Sequence, residues 1–204
     1  PSLMTLDMGG TTAKASIIEE GEMLQAPEYE VGGEVSVGHR LLRGSGHILR
    51  VPAIDLAEVG AGGGSIAAVD RSGSLRVGPQ SSGAFPGPAC YRLGGLDATV
   101  TDANVLLGFL HQKHLLSGIF EIDAELAHTA ISDNVARPLN MTDVEAAYGI
   151  HTLVNSNMGR ALRAVSSERG RDPRRFDLMT FGGSGPVHAV GLAEMLDISR
   201  VVVP

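Results

Sequence analysis

The stretch FDLMTFGGSGPVHAVGLAEMLDISRVVV, residues 176–203, decides the fold class. Residues 176–181 form a short apolar run, Gly182-Gly183-Ser184-Gly185 a turn, 187–196 a helical pattern, and 201–203 a second apolar run. Strand, turn, helix and strand in that order make a βαβ unit, whose strands lie parallel and are joined by a right-handed crossover. The chain is therefore read as an α/β protein. N-terminal to this unit, Ala146, Ile150, Leu153, Val154, Met158, Ala161, Leu162 and Val165 recur at three-and-four spacing. That spacing predicts a long helix with one buried face, opened by Asn140-Met141-Thr142-Asp143 with Glu145 and running up to Gly170. A helix is also expected from Asp123 to about residue 135, and a short one capped by Thr101-Asp102 and reaching about Leu110.

The first half is richer in strand signals. Residues 2–7 lead into a Gly-Gly turn and 13–19 form a second β-rich run, which together predict a hairpin. Residues 28–31 and 35–37 continue the meander around Gly32-Gly33 and supply a third strand. Residues 51–54, 66–69 and 75–77 read as short strands around the Gly62-Gly63-Gly64 bend and the Ser72-Gly73 turn. Residues 81–95, with Pro86 and Pro88 among their glycines, contain too many breakers for a regular element and are expected to form an ordered loop. Strand signals begin almost at the first residue and stop at the last, so a segment of a longer polypeptide is expected.

Composition narrows the partners. A chain of 204 residues that is 43% hydrophobic can bury a real core. Its net charge of −7 is spread along the sequence. That balance argues against a nucleic-acid backbone or an anionic membrane surface and favours a small-molecule substrate. No apolar run approaches the ~20 residues a membrane helix needs. The single cysteine, Cys90, cannot make an internal disulfide, which points to a reducing compartment such as the cytoplasm. The 27 glycines are nearly double the ~7% of an average protein, so many backbone positions need positive φ or a close approach.

Two glycine turns carry the chemistry. Asp7-Met8-Gly9-Gly10-Thr11-Thr12 sits between two strands. Glycines let backbone N–H groups converge on a phosphate, the threonine hydroxyls add donors, and an acid can hold hydrated Mg²⁺. A plain hairpin turn, with Gly-Gly at positive φ, explains the same residues. Gly182-Gly183-Ser184-Gly185-Pro186 is a strand-to-helix junction whose free N–H groups and dipole can receive an anion or nucleotide, although a tight βα connection needs no ligand. Gly62, Gly63 and Gly64 imply a close backbone approach to a ligand or to another strand. Asp97, Thr99, Thr101 and Asp102 cluster before a helix and could line a site or merely cap it. His111 and His114 lack a third metal ligand at suitable spacing and read as a solvated helix end. Cys90 reads as a small buried hydrophobe rather than a nucleophile.

In order along the chain, five blocks resemble the hydantoinase A/5-oxoprolinase family. They are Asp7 to Lys14, Gly60 to Ile66, Val77 to Tyr91, Thr99 to Asn104, and Phe181 to His188. The resemblance implies an actin-like ATPase, ribonuclease H-like lobe with a mixed sheet, flanking helices and a Gly/Pro-rich insertion at about residues 38–120. Residues 1–204 would be the second-lobe portion, with the first lobe and its own phosphate loop absent. Gly9, Gly10, Thr11 and Thr12 would hold phosphate oxygens of ATP. Asp7 would act catalytically by organising Mg²⁺ through water. Gly182, Gly183, Ser184, Gly185 and Pro186 would lie beside the adenosine, with Gly62, Gly63, Gly64 and Asp102 as further lining candidates. Ala13-Lys14 stands where carboxylase-like members often have Thr-Asp, which leans toward the hydantoinase side. The implied activity is ATP-dependent opening of a cyclic amide such as a hydantoin, N-methylhydantoin or 5-oxoproline, by phosphoryl activation of the carbonyl. A hydantoinase B type partner is implied as well, and the isolated segment is expected to be inactive. A ketone carboxylase subunit is the neighbouring alternative. From another class, an actin-like switch or assembly module without small-molecule chemistry is also compatible with the fold.

Overall fold

The computed structural model describes residues 2–27, 29–31, 35–37 and 47–204. Its longer elements are, in chain order, β1 (Leu3–Met8), β2 (Ala13–Glu19), β3 (Val35–Val37), β4 (Leu56–Val59), β5 (Ser65–Val69), β6 (Leu75–Ser81), β7 (Ala98–Thr99), α1 (Val100–Leu106), α2 (Ala124–Ile131), α3 (Asp143–Val165), β8 (Asp177–Phe181), α4 (Gly185–Met195) and β9 (Val201–Val202). They fall into two units, residues 1–60 with 155–204 and residues 61–154.

The first unit is built on a mixed sheet of order β9-β8-β1-β2-β4-β3, with Glu22–Met23 added alongside β2. β1 pairs with β8 and β8 with β9 in parallel, whereas β1, β2, β4 and β3 succeed one another antiparallel. Three meandering strands continued by two parallel ones give the actin-like, ribonuclease H-like arrangement. Alternation explains why β1 takes the centre: Met4, Leu6 and Met8 are all fully buried on one face. On the other face Thr5 Oγ1 hydrogen-bonds Ser16 Oγ at 2.7 Å, which satisfies both hydroxyls across the β1–β2 pair. The βαβ crossover is formed by β8, α4 and β9, with Ala189, Leu192 and Ala193 of α4 buried.

The second unit pairs β5 with β6 and β7. The β5–β6 turn is organised by Asp70, whose carboxylate accepts from Ser72 Oγ at 2.6 Å, from Arg76 Nε at 2.6 Å and from the N–H groups of Ser74 and Ser72, and these bonds, the Ser72 hydroxyl first, hold its carboxyl well below the usual carboxylate range. A small core gathers Cys90, Val105, Ile122 and Ala127, flanked by Tyr91 and Phe120 stacked edge to face.

The helices match the sequence pattern with shifted ends. α3 opens with a reciprocal cap in which Thr142 N–H donates to Glu145 Oε2 at 2.8 Å and Glu145 N–H to Thr142 Oγ1 at 3.3 Å. It ends at Val165, short of Gly170, because Ser166 breaks to φ −113°, ψ −89°. The expected 101–110 helix ends at Leu106, and its cap is Thr99, not Thr101. The strand beside β2 is Leu56–Val59, a four-residue alternation outweighed in the sequence by the apolar run at 51–54; Ala53–Ile54 instead pairs with Gln25–Ala26. Val35–Val37 does join the sheet, on the far side of β4, but Tyr29–Val31 does not continue the meander and pairs with His47–Leu49 in a separate ladder, while Glu28 and Gly32-Gly33 lie outside the described residues. Among the described residues no helix is long and apolar enough to cross a membrane.

Candidate functional site

β1 ends at Met8, and the chain turns through residues 9–12 with Gly9 N–H donating to the Thr12 carbonyl at 3.1 Å. Neither Gly9 nor Gly10 has a left-handed backbone, and a Cβ at either would meet no atom within 4 Å. The hairpin reading required glycine for positive φ, and the geometry does not use it that way. What the two glycines leave is open space over exposed or half-buried backbone. Asp7 precedes them, half-buried, and among the described residues no group hydrogen-bonds or pairs with its carboxylate. Lys14, opposite Asp7 in the β1–β2 register, is turned to Glu58 at 3.8 Å.

The second turn arrives at the same strand end. In the parallel register Asp7 lies opposite Phe181, so the chain leaving β8 passes the chain leaving β1. Gly182 makes this passage possible. It has φ +82°, and a Cβ there would run into the Asp7 carboxylate and sit 2.5 Å from the Met8 carbonyl oxygen. Ser184 N–H then donates to that Met8 carbonyl at 3.0 Å. Gly185 opens α4 close to β1, where a Cβ would stand 3.6 Å from the Leu6 oxygen in ordinary contact, and Pro186 fits the first turn because it has no N–H to satisfy. Ser184 gives no side-chain cap, so the first N–H groups of α4 have no side-chain partner from the cap position. Gly183 has no atom within 4 Å of a built Cβ. The Asp7–Thr12 and Gly182–Pro186 residues are thus brought together although some 170 positions separate them.

The remaining candidates lie in the second unit and are occupied by chain contacts. Gly62, Gly63 and Gly64 are buried. The Gly63 carbonyl accepts from Thr101 N–H and Oγ1 at 2.8 and 2.9 Å, and the Gly64 carbonyl from Ser82 N–H at 2.8 Å. The close approach foreseen for this run is to other segments of the chain. Asp102, fully buried, accepts from the N–H groups of Ala89 (3.2 Å), Cys90 (2.8 Å) and Thr99 (3.0 Å) and from Thr99 Oγ1 (2.6 Å). It is the third residue of the Thr99 capping box and also the anchor of the glycine-proline loop. Burial, and after it the neighbouring Asp102 charge, push the Cys90 thiol far up, so it is held as an inert thiol. His111 and His114 stack at 5.7 Å but stand beyond the end of α1 rather than on a helix; His111 Nδ1 accepts from the N–H groups of Lys113 and His114. Among the described residues no cluster of three or more His, Cys, Asp or Glu side chains could hold a metal.

Sequence reasoning passed over two polar pairs on buried positions. His151 Nδ1 donates to Asn104 Oδ1 at 2.9 Å in the second unit, where desolvation lowers the His151 pKa. His188 Nδ1 donates to Asn155 Oδ1 at 2.6 Å in the first. The signal was available: His151 and Asn155, four apart, interrupt the apolar face of the predicted long helix. A cavity of about 440 Å³ also opens in the first unit, beside Leu24, Asp55, Arg169 and Arg171. The Glu19 end of β2 pairs with Arg171 there, so the cavity lies at the opposite end of the sheet from the two glycine turns.

Residues 1–204 match the family model described as Hydantoinase/oxoprolinase. An uncharacterized protein of Methanocaldococcus jannaschii is 53% identical over 97% of the chain and 29% of its own length. The caprolactamase subunit alpha of Pseudomonas jessenii is 41% identical over 100% of the chain and 27% of its own length. The crystal structure of that organism's ATP-dependent caprolactamase superposes with a TM-score of 0.81 at 40% identity, covering the whole chain and 28% of its own. The nucleotide-free structure of acetone carboxylase, from work on ATP-dependent acetone carboxylation, superposes with a TM-score of 0.83 at 29% identity, again over the whole chain and 27% of its own. The chain therefore spans little more than a quarter of the length of these relatives.

Proposed function

Because the chain belongs to the hydantoinase/oxoprolinase family over residues 1–204, we propose that it carries the second-lobe nucleotide turns of an ATP-dependent enzyme that opens a cyclic amide. The observation behind this reading is the Gly9-Gly10 pair: two glycines that neither backbone conformation nor neighbouring atoms require, beside an Asp7 carboxylate without a partner among the described residues. A Cβ at either position would fill the space a phosphate needs, so the residues present fit the group.

In this reading the open space at Gly9 and Gly10 lets a phosphate come close to the turn, and Thr11 and Thr12 offer hydroxyls to phosphate oxygens. Asp7 accepts hydrogen bonds from the water shell of Mg²⁺, an arrangement suited to an ion that keeps its waters and needs few protein ligands. Gly183, Ser184, Gly185 and Pro186 pass beside the adenosine, where the start of α4 supplies N–H groups and its positive dipole end. ATP, when bound, supplies the phosphoryl group that makes a poor carbonyl electrophile a good one, with Mg²⁺ offsetting phosphate charge. The chain's own contribution is positioning and charge stabilisation. A first lobe of the same polypeptide and a hydantoinase B type subunit would complete the enzyme.

A cyclic amide is the first reading because the 41% identity to the caprolactamase subunit runs over the whole chain, whereas the 43% identity to an acetophenone carboxylase gamma subunit of Aromatoleum aromaticum runs over 76% of it. A ketone carboxylase subunit is the second reading, favoured by the TM-score of 0.83 to the carboxylase. The test is calorimetric titration of the full-length subunit with Mg-ATP, together with turnover assayed on a lactam and on bicarbonate plus ketone. Asp7→Asn and Gly10→Ala are expected to lower Mg-ATP affinity by about tenfold or more while leaving the fold intact, since each removes or blocks a charge-assisted contact. Wild-type affinity and turnover in both variants would overturn the assignment.

A further inference from the structure

α4 carries the Gly182–Pro186 turn at its first residue, and its position depends on the helix it packs against in the same unit, the 155–165 half of α3. Two features fix that packing. His188, fully buried and three residues into α4, donates Nδ1–H to Asn155 Oδ1 at 2.6 Å. One turn along, Gly191 makes room for the same side chain, because a Cβ there would sit 2.7 Å from Asn155 Nδ2. At the far end of the contact Gly159 likewise admits Met195, whose Sδ would lie 2.6 Å from a Cβ at that position. Asn155 is thus wedged between His188 and Gly191, and the two helices meet where their backbones approach closely.

Apolar contacts allow a helix to slide and roll by fractions of an ångström, since they are non-directional. A short buried hydrogen bond is directional, and losing one partner strands the other away from water. The bond to His188 therefore sets the rotation and axial position of α4 at the end that carries the glycine turn. The chain from Gly182 to Ser184 is itself pressed on Met8. Any shift of α4 is transmitted to the space over the Asp7–Thr12 turn.

We propose that Asn155 and His188 are positioning residues for nucleotide binding: they touch no ligand, and they hold the start of α4 in register with the β1 turn. The inference rests on the nucleotide reading above. It is tested in the full-length subunit with His188→Leu, Asn155→Leu, the double variant and His188→Asn, whose amide N–H can stand in for Nδ1–H. Mg-ATP affinity is measured by calorimetry and folding by circular dichroism and thermal midpoint.

Displacement by about an ångström can cost up to about a hundredfold in a positioned site, so each leucine variant is expected to weaken Mg-ATP binding by about tenfold or more. The double variant should be no weaker than the worse single one, because both substitutions break the same Asn155–His188 bond. His188→Asn should return to within about threefold of wild type while the leucine variants do not, a recovery that general destabilisation would not produce. Affinity within about twofold of wild type in folded leucine variants, additive losses in the double variant, or no recovery in His188→Asn would overturn the proposal. Should the leucine variants not fold, Asn155→Ser, whose hydroxyl is too short to reach His188, takes their place under the same limits. Failure of the wild-type subunit itself to bind Mg-ATP would instead defeat the nucleotide reading.

Discussion

At the scale of single residues, glycines that look alike in the sequence have opposite reasons to be glycine. Gly182 is required by the protein: its φ of +82° and its closeness to Asp7 and Met8 exclude a side chain. Gly183, next in sequence, has open space around it. Gly182→Ala is expected to destabilise by roughly 1–3 kcal/mol and Gly183→Ala by well under about 1 kcal/mol, read from urea midpoints. Equal effects would show that the two turns do not meet as described. Cys90 offers a pH test. Its folded thiol is raised above the unfolded value, so its contribution to stability is complete below about pH 8.5 and declines as pH rises, because only the unfolded chain releases the proton. The decline can reach about 1.4 kcal/mol per pH unit. Urea midpoints from pH 7 to 10 should fall more steeply for the wild type than for Cys90→Ala. Asp102 was legible as a helix-start acid but not as the anchor of a loop 12 residues upstream, since only the folded chain brings the Cys90 N–H to it.

At the scale of elements, the strongest signals were the long ones. The apolar period of α3 and its Thr142–Glu145 cap were both readable, and Thr142→Ala should cost about 1 kcal/mol, seen as a lower thermal midpoint without a change in helix content at 25 °C. Asp102→Ala should cost roughly 3 kcal/mol or more, because it leaves three buried N–H groups, of Ala89, Cys90 and Thr99, without their acceptor. The same substitution should make Cys90 accessible to a thiol reagent before global unfolding, and protection equal to wild type would contradict the anchoring role. Most short strands were legible, 66–69 and 75–77 among them, but one was passed over. Leu56–Val59 takes the place beside β2 with four residues, a length at which pairing partners decide and local preference does not.

At the scale of the whole molecule, the chain covers little more than a quarter of its relatives' length, and the proposed nucleotide site, if shared with a first lobe, would lose affinity with one wall absent. Calorimetry of residues 1–204 beside the full-length subunit is expected to give Mg-ATP binding at least about tenfold weaker for the shorter chain. Equal affinity would mean that these residues hold a complete pocket. The sequence by itself determined the α/β class, the βαβ crossover, the long helix and the family, because periodicity, caps and glycine punctuation are local and five ordered blocks are specific together. It also singled out both glycine turns as places where backbone meets something. Only the tertiary structure decided that Gly9 and Gly10 stand open while Gly182 does not, and that Asp102 serves a loop. It alone brought the two turns to one end of the sheet. The reason is register: the parallel pairing that sets Asp7 opposite Phe181 joins residues whose separation in sequence carries no local signal.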